Sequence, residues 1–454
     1  MKNLEAPALS PATAPGNDDL RRVIRVRDGL AVAVGIVIGA GILRTPGLIA
    51  GYLGDAGLIL GVWLLGGIIA GLSTLLLAEM AAAIPTAGGK YVYAKTAWGP
   101  VAGFVAGWAE VLVSRGFSGA SKAVLIATYV TELAGRGSIP VLAGTLVIAF
   151  TMLHLGGLRF GTRFQNITTC LKIIVLLGIA AAGILAGDAR GFSEQLAVSP
   201  EYAGLLGFAL AYQAVAFAYY GWEDAAKMAE EVRDPGRSLP RILIGGAAAV
   251  AFLYMLINVA FLFALTPAEM AGSTLVARDA VAVALGDAAG ITVQVAGIII
   301  LLSSANVNFL ATPRVAYALA RDGLAPQPLT RVSSRGTPTW GLFVVSAVIF
   351  LLAVTGTFEL LIRFMMLIAI SVDLIVFLGF FRLRAMMPDL HRPLRVPLHP
   401  VLPALTIALY VAVLAIIVAT QPQLALGGGL MLLGLFVAGF LTARRSGGSD
   451  SSVA

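Results

Sequence analysis

An all-α polytopic membrane protein of twelve transmembrane helices is the fold class this sequence predicts, its first ten spans forming an inverted five-plus-five repeat. Three observations predict it. The 454 residues are 59% hydrophobic and 12% charged, with a mean hydropathy of +0.91, against roughly 25% charged for a soluble globular domain. Apolar runs of about 20 residues, enough to cross the hydrocarbon core, recur along the whole chain. Two of them are interrupted by glycine near their middle, which a plain span does not need.

The runs cover 29–52, 57–84, 100–133, 139–156, 164–186, 203–230, 240–265, 290–320, 338–355, 358–384, 399–420 and 424–442. Spans three, six, eight and ten exceed a perpendicular crossing and imply tilt or extension beyond the lipid. Lysine and arginine placement sets the orientation. With a cytoplasmic N-terminus, the inside segments collect Arg21, Arg22, Arg25 and Arg27, Lys90 and Lys95, Arg159 and Arg163, Lys227 to Arg241, Arg321 to Arg335, Arg382 to Arg395, and Arg444 and Arg445. The opposite loops offer Arg136, Arg190 and Arg278. Both termini are therefore expected in the cytoplasm of a multi-pass cell-membrane protein. The expected organisation is a disordered tail over 1–27, a ten-helix core over 28–384 with repeats at about 28–186 and 203–384, two additional spans over 385–443, and a second disordered tail over 444–454. The first twenty residues carry no apolar core and do not read as a signal peptide.

Composition excludes several functions. The formal net charge is +7, but the basic residues form no patch with interleaved aromatics, so no nucleic-acid partner is expected. Cys170 is the single cysteine and His154, His391 and His399 lie far apart, so neither a disulfide framework nor a metal site is expected. No cofactor is expected. No nucleophile, base and electrophile converge as an enzyme requires, and a channel would use a continuous pore rather than paired broken helices.

The first break is Ile38-Gly39-Ala40-Gly41-Ile42, followed by Arg44-Thr45-Pro46-Gly47. Glycine costs a helix interior about 1 kcal/mol relative to alanine and proline about 3. Two readings fit the step: a glycine packing groove, or a binding site made of backbone, since unpaired backbone groups in lipid survive only when buried in protein or lining a cavity. The second break lies in Phe217-Ala218-Tyr219-Tyr220-Gly221-Trp222-Glu223. Breaks in spans one and six are what an inverted repeat produces. A half-helix beginning after Gly41 presents N–H groups and a positive dipole end to a carboxylate. One ending near Phe217 presents carbonyls to an ammonium. A zwitterionic amino acid satisfies both.

These residues also resemble a family. Gly39-Ala40-Gly41-Ile42, Ala78-Glu79-Met80, Ile84-Pro85-Thr86-Ala87-Gly88-Gly89-Lys90-Tyr91, Gln165-Asn166-Ile167, Phe217 to Asp224, Glu230 to Pro240, and Thr312-Pro313-Arg314 through Leu324 look like amino acid–polyamine–organocation (APC) superfamily permeases, in order and spacing, from about 25 to 440. The resemblance implies a LeuT-type core with two additional helices, and transport of amino acids or polyamines by alternating access. It implies that Gly39, Ala40 and Gly41 hold a substrate carboxylate, that carbonyls of Val37, Phe217 and Tyr220 hold the ammonium, and that Phe217 caps the site. Ile38, Ile42, Ala218, Tyr219 and Gly221 complete the expected substrate site. Ala40 departs from the frequent serine, which removes one side-chain hydrogen bond to the carboxylate.

Lys172 lies about eight residues into span five, roughly 12 Å along a helix. It either snorkels or faces a cavity. It matches a lysine that sodium-independent relatives place where sodium sits in related transporters, with Ser303 and Ser304 as expected neighbours. Ser118, Lys122 and Glu223 are expected pathway or gate groups. Glu110, Arg115 and Lys122 lie on span three, where the last two share a helical face with Ser114, Ser118 and Ser121; these charges either line the pathway on that face or form an internal ion-pair network, and Arg363 and Asp373 have no assigned role. The expected function is secondary active amino acid transport, sodium-independent, by exchange or proton symport, with a polyamine or other organocation permease as the alternative. The expected partners are a small-molecule amino acid and the lipid bilayer.

Overall fold

The structure, a computed structural model, describes residues 24–449 other than 87, 157, 158, 228, 334 and 335. The expected tails over 1–23 and 450–454, and with them Arg21 and Arg22, lie outside the described residues. So do Ala87 and Arg335.

The described elements of the chain are helical. Its elements are α1 (Val26–Val37), α2 (Ala40–Leu53), α3 (Ala56–Ala83), α4 (Lys90–Trp98), α5 (Pro100–Trp108), a π-helical stretch Ala109–Arg115, α6 (Gly116–Ala134), α7 (Ile139–Leu155), α8 (Arg159–Ala186), α9 (Leu205–Tyr219), α10 (Asp224–Lys227), α11 (Pro235–Ala264), α12 (Pro267–Gly272), α13 (Val276–Leu285), α14 (Asp287–Arg321), α15 (Thr339–Thr355), α16 (Phe358–Met386), α17 (Val401–Thr420) and α18 (Pro422–Ser449). Among the described residues there is no strand, only the isolated bridges Ile24–Val232 and Val332–Pro338. Among the described residues six helices, α3, α11, α14, α16, α17 and α18, are long and apolar enough to cross a membrane. The α1–α2 pair, bent by 43°, passes the same test as one broken span. The protein is a polytopic membrane bundle.

Local chemistry sets the helix ends. Gly54 closes α2 in the left-handed region, returning its N–H to Ala50 O, and Asp55 opens α3 by accepting from Leu58 N at 3.0 Å. Thr266 and Glu269 form a reciprocal capping box that starts α12. Inside apolar helices, hydroxyls donate to the carbonyl four residues back, as Ser73 does to Ile69 and Thr74 to Ala70, both at 2.7 Å. Such bonds leave no unpaired donor facing lipid.

Packing brings the two breaks together. α2 runs along α9, α1 touches α10 and α11, and α3 and α8 close over α11. α16 is central, with 67% of its apolar window buried, whereas α17 and α18 bury only 28% and 11% and sit at the periphery.

Four features depart from the sequence expectations. Ile24 packs against the segment before α11, donating to Glu231 O and accepting from Arg233 N at 2.9 Å each, so residues 24–27, expected as part of a tail, are joined to the bundle. α18 continues to Ser449, into the stretch expected as the C-terminal tail. The expected loop after α3 holds α4, whose apolar residues are too few to read as a span. The loop before α14 holds α12 and α13, where Val276, Ala277, Ala280 and Val281 bury one face of a short helix.

Glu79 fastens one end of the bundle. It is 2% exposed and accepts from Arg384 Nε and Nη2 at 2.8 and 2.5 Å and from Val396 N at 2.6 Å, tying α3 to α16 and to the segment before α17. Removing one partner of a buried ion pair costs about 3–5 kcal/mol. Arg384→Ala, which strands the buried Glu79 carboxylate, and Glu79→Ala, which strips Arg384, Arg392 and Val396 N of their shared acceptor, should therefore each lower thermal stability in detergent by that order. Equal melting temperatures for wild type and Glu79→Ala would contradict it.

Candidate functional site

The first break is made by space as much as by propensity. α1 ends at Val37, Ile38 and Gly39 are extended, and α2 begins at Ala40 with no side-chain cap on its N-terminal N–H groups. A Cβ on Gly39 would lie 2.6 Å from Ser304 Oγ. One on Gly41 would lie 2.3 Å from the Ala218 Cα. α2 and α9 thus touch backbone to backbone, a distance only glycine permits. In the second break, Gly221 has φ +115°, a conformation L side chains rarely adopt. Its N–H donates to Glu223 Oε2 at 3.1 Å.

Buried side chains hold the freed backbone. Tyr254 donates to Val37 O at 3.0 Å, and Tyr219 donates to Trp63 O at 3.2 Å. Trp63, Tyr219 and Tyr254 pack ring against ring, with centroids 5.3–5.8 Å apart. Lys172 is fully buried and its Nζ donates to Gly35 O at 2.8 Å, so the side chain turns inward against α1 and does not snorkel. Ser303 shares a 2.6 Å hydrogen bond with Thr168 on α8. The Ser304 carbonyl accepts from Lys122 Nζ at 3.3 Å.

Between the breaks lies a cavity of about 30 Å³, lined by Ile36, Val37, Gly39, Ala40, Gly41, Ser118, Lys122, Phe217, Tyr220, Ser304 and Met365. Most of the residues singled out in the sequence converge here. Ile38 and Ile42 are instead fully buried in packing, Ala218 abuts Gly41, and Tyr219 turns to Trp63. Ile36 and Met365 were missed; nothing in an apolar run marks which residue faces a cavity.

Each side of the cavity is closed by polar contacts. On the α2 side, Arg44 pairs with Glu359 at 3.0 Å and donates to Ser273 O, Arg363 donates to the Tyr52 hydroxyl at 3.1 Å, and Phe217 meets Phe358 edge-on. On the α1 side stands a network of buried charge. Lys90 pairs with Asp373 at 2.6 Å and Glu223 at 3.3 Å and sits over the Tyr220 ring. Arg115 and Lys227 both bridge Glu110 and Asp224. Glu110 and Arg115 thus form an internal network rather than a pathway face. Lys90 and Lys227, counted as loop charges in the sequence, are structural ion-pair partners, and Asp373 acquires a role the sequence did not assign.

The family model described as amino acid permease matches residues 27–441. The chain belongs to this family. Among curated proteins, the serine/threonine exchanger SteT of Bacillus subtilis is 28% identical over 86% of this chain and 90% of its own length. The human Asc-type amino acid transporter 1 is 30% identical over 85% of this chain and 76% of its own. The mouse large neutral amino acids transporter small subunit 2 is 29% identical over 87% and 76%. The permease is thus an amino acid transporter.

Gly41→Val would place side-chain atoms inside the α9 backbone. The variant should still insert in the membrane, because valine makes the span no less apolar, but should lose ligand-induced thermal stabilisation. A monodisperse Gly41→Val protein with wild-type stabilisation by substrate would refute the backbone contact.

Proposed function

We propose that this chain is a secondary active transporter that moves amino acids by alternating access between the two breaks, in a twelve-span, LeuT-type five-plus-five core with two additional helices. α17 and α18 would be the additional pair, in keeping with their peripheral packing. The observation that carries the reading is the cavity itself. Two broken helices bound it, one offering uncapped N–H groups at Ala40 and Gly41 and the other the carbonyl end at Phe217 and Tyr220. The first suits a carboxylate and the second an ammonium. At about 30 Å³ the cavity has room for about two waters, so a substrate enters only when one closing layer parts. With both termini in the cytoplasm of a cell membrane, the α1 side with its charge network faces inward and the Arg44–Glu359 side outward.

Transport is sodium-independent in this reading. The Lys172 ammonium already binds a carbonyl of the broken first helix, the kind of oxygen a sodium ion would need. Exchange is the favoured mode, in keeping with the name of the Bacillus relative. A polyamine is disfavoured, because its charge would meet the Lys122 ammonium on the cavity wall. The mouse relative is named a small subunit, and a protein partner for this chain is in keeping with that kinship.

Reconstituted protein should exchange external labelled amino acid for internal amino acid equally in sodium and choline media. An absolute sodium requirement would remove Lys172 from the coupling role. Decarboxylation of a good substrate should weaken binding far more than loss of one side-chain methylene, and equal affinity for the decarboxylated amine would favour the organocation reading. Lys172→Ala should slow exchange severalfold while reducing initial binding less, since the charge acts on the equilibrium between conformations. Unchanged turnover in Lys172→Ala would oppose this.

A further inference from the structure

Lys122 lies on the wall of the same cavity, on α6, one turn from Ser118. It is 9% exposed. Its one described hydrogen bond is the 3.3 Å contact to Ser304 O, and no carboxylate among the described residues lies within 4.0 Å of it, unlike Lys90, Arg115 and Lys227 in the neighbouring network. Asp224 of that network is already engaged through Oδ1 by Arg115 and Lys227. A charge buried this far in a membrane protein is costly unless paired.

Among the described residues, Lys90, Arg115 and Lys227 share the buried carboxylates Glu110, Glu223, Asp224 and Asp373. Lys122, on the cavity wall, is bonded to a carbonyl instead, and its charge is a local surplus there. A zwitterion entering between the breaks leaves that surplus unchanged, since its carboxylate goes to the α2 N-terminus and its ammonium to the α9 carbonyls. An amino acid with a second carboxylate neutralises it.

Taking the cavity as the substrate site of the preceding section, we propose that Lys122 is a specificity-determining residue and that the permease selects amino acids with an anionic side chain, the second carboxylate pairing with its ammonium. The side-chain carboxylate replaces part of the Ser304 carbonyl contact and finds the Ser118 hydroxyl one helical turn away on the same wall.

Exchange in proteoliposomes with each acid against its own amide tests this, since the pairs share size and shape and differ in charge. L-Glutamate or L-aspartate should be taken up at least tenfold faster at low concentration than L-glutamine or L-asparagine. Lys122→Met, of similar length, should erase that ratio or invert it, and Lys122→Arg should keep the acids ahead. Should Lys122→Met fail to give a monodisperse protein, the wild-type ratio still decides. Amides or other neutral amino acids exchanged as fast as the acids would overturn the assignment while leaving amino acid transport standing, as would a Lys122→Met protein with an unchanged ratio. No exchange of any amino acid by folded protein would overturn the transport reading and this one with it.

Discussion

The backbone contact between Gly41 on α2 and Ala218 on α9 is the constraint on which the rest of the site depends. With a Cβ at Gly41 only 2.3 Å from the Ala218 Cα, any other residue would drive the two half-helices apart. Their approach sets uncapped N–H groups beside the carbonyl end of the second break. In lipid those groups could not remain unpaired; inside the bundle they face a cavity. The cost of breaking two helices is offset by partners drawn from other elements. Tyr254 of α11 takes the Val37 carbonyl, Lys172 of α8 takes the Gly35 carbonyl, and Tyr219 ties the second break to α3.

Charge does different work on the two sides of that cavity. The Arg44–Glu359 pair is partly exposed and isolated, so it separates at modest cost. The network around Lys90, Arg115 and Lys227 is more deeply buried and its members share partners. Parting it strands several charges at once unless they find new partners or water. Within the proposed alternating-access cycle the two layers would thus be unequal barriers. The glycine at 221, bonded through its N–H to Glu223, links the second break to the costlier layer. Movement of the cavity wall at Tyr220, whose ring and hydroxyl both contact Lys90, would reach that network directly.

Much of the architecture was legible in the residue order. Long apolar runs located the helices to within a few residues, because lipid demands length and apolarity whatever the neighbours are. Gly39, Gly41 and Gly221 stood out because glycine inside a span has a cost that needs a reason. Short, mixed-polarity helices such as α4 and α13 were not legible, since their stability comes from one buried face and not from a property of the run itself.

What the sequence by itself determined is the set of long apolar helices and the two places where they break. Tertiary structure alone decided which charges meet. Lys90 lies 283 positions from Asp373 and 133 from Glu223, yet one ammonium serves both carboxylates, while Lys122 and Lys172 are left on carbonyls. Identical side chains thus became ion-pair partner, helix brace and cavity wall. The physical reason is that a buried charge is defined by what lies within a few ångströms of it, and those neighbours come from distant helices whose packing no local pattern encodes.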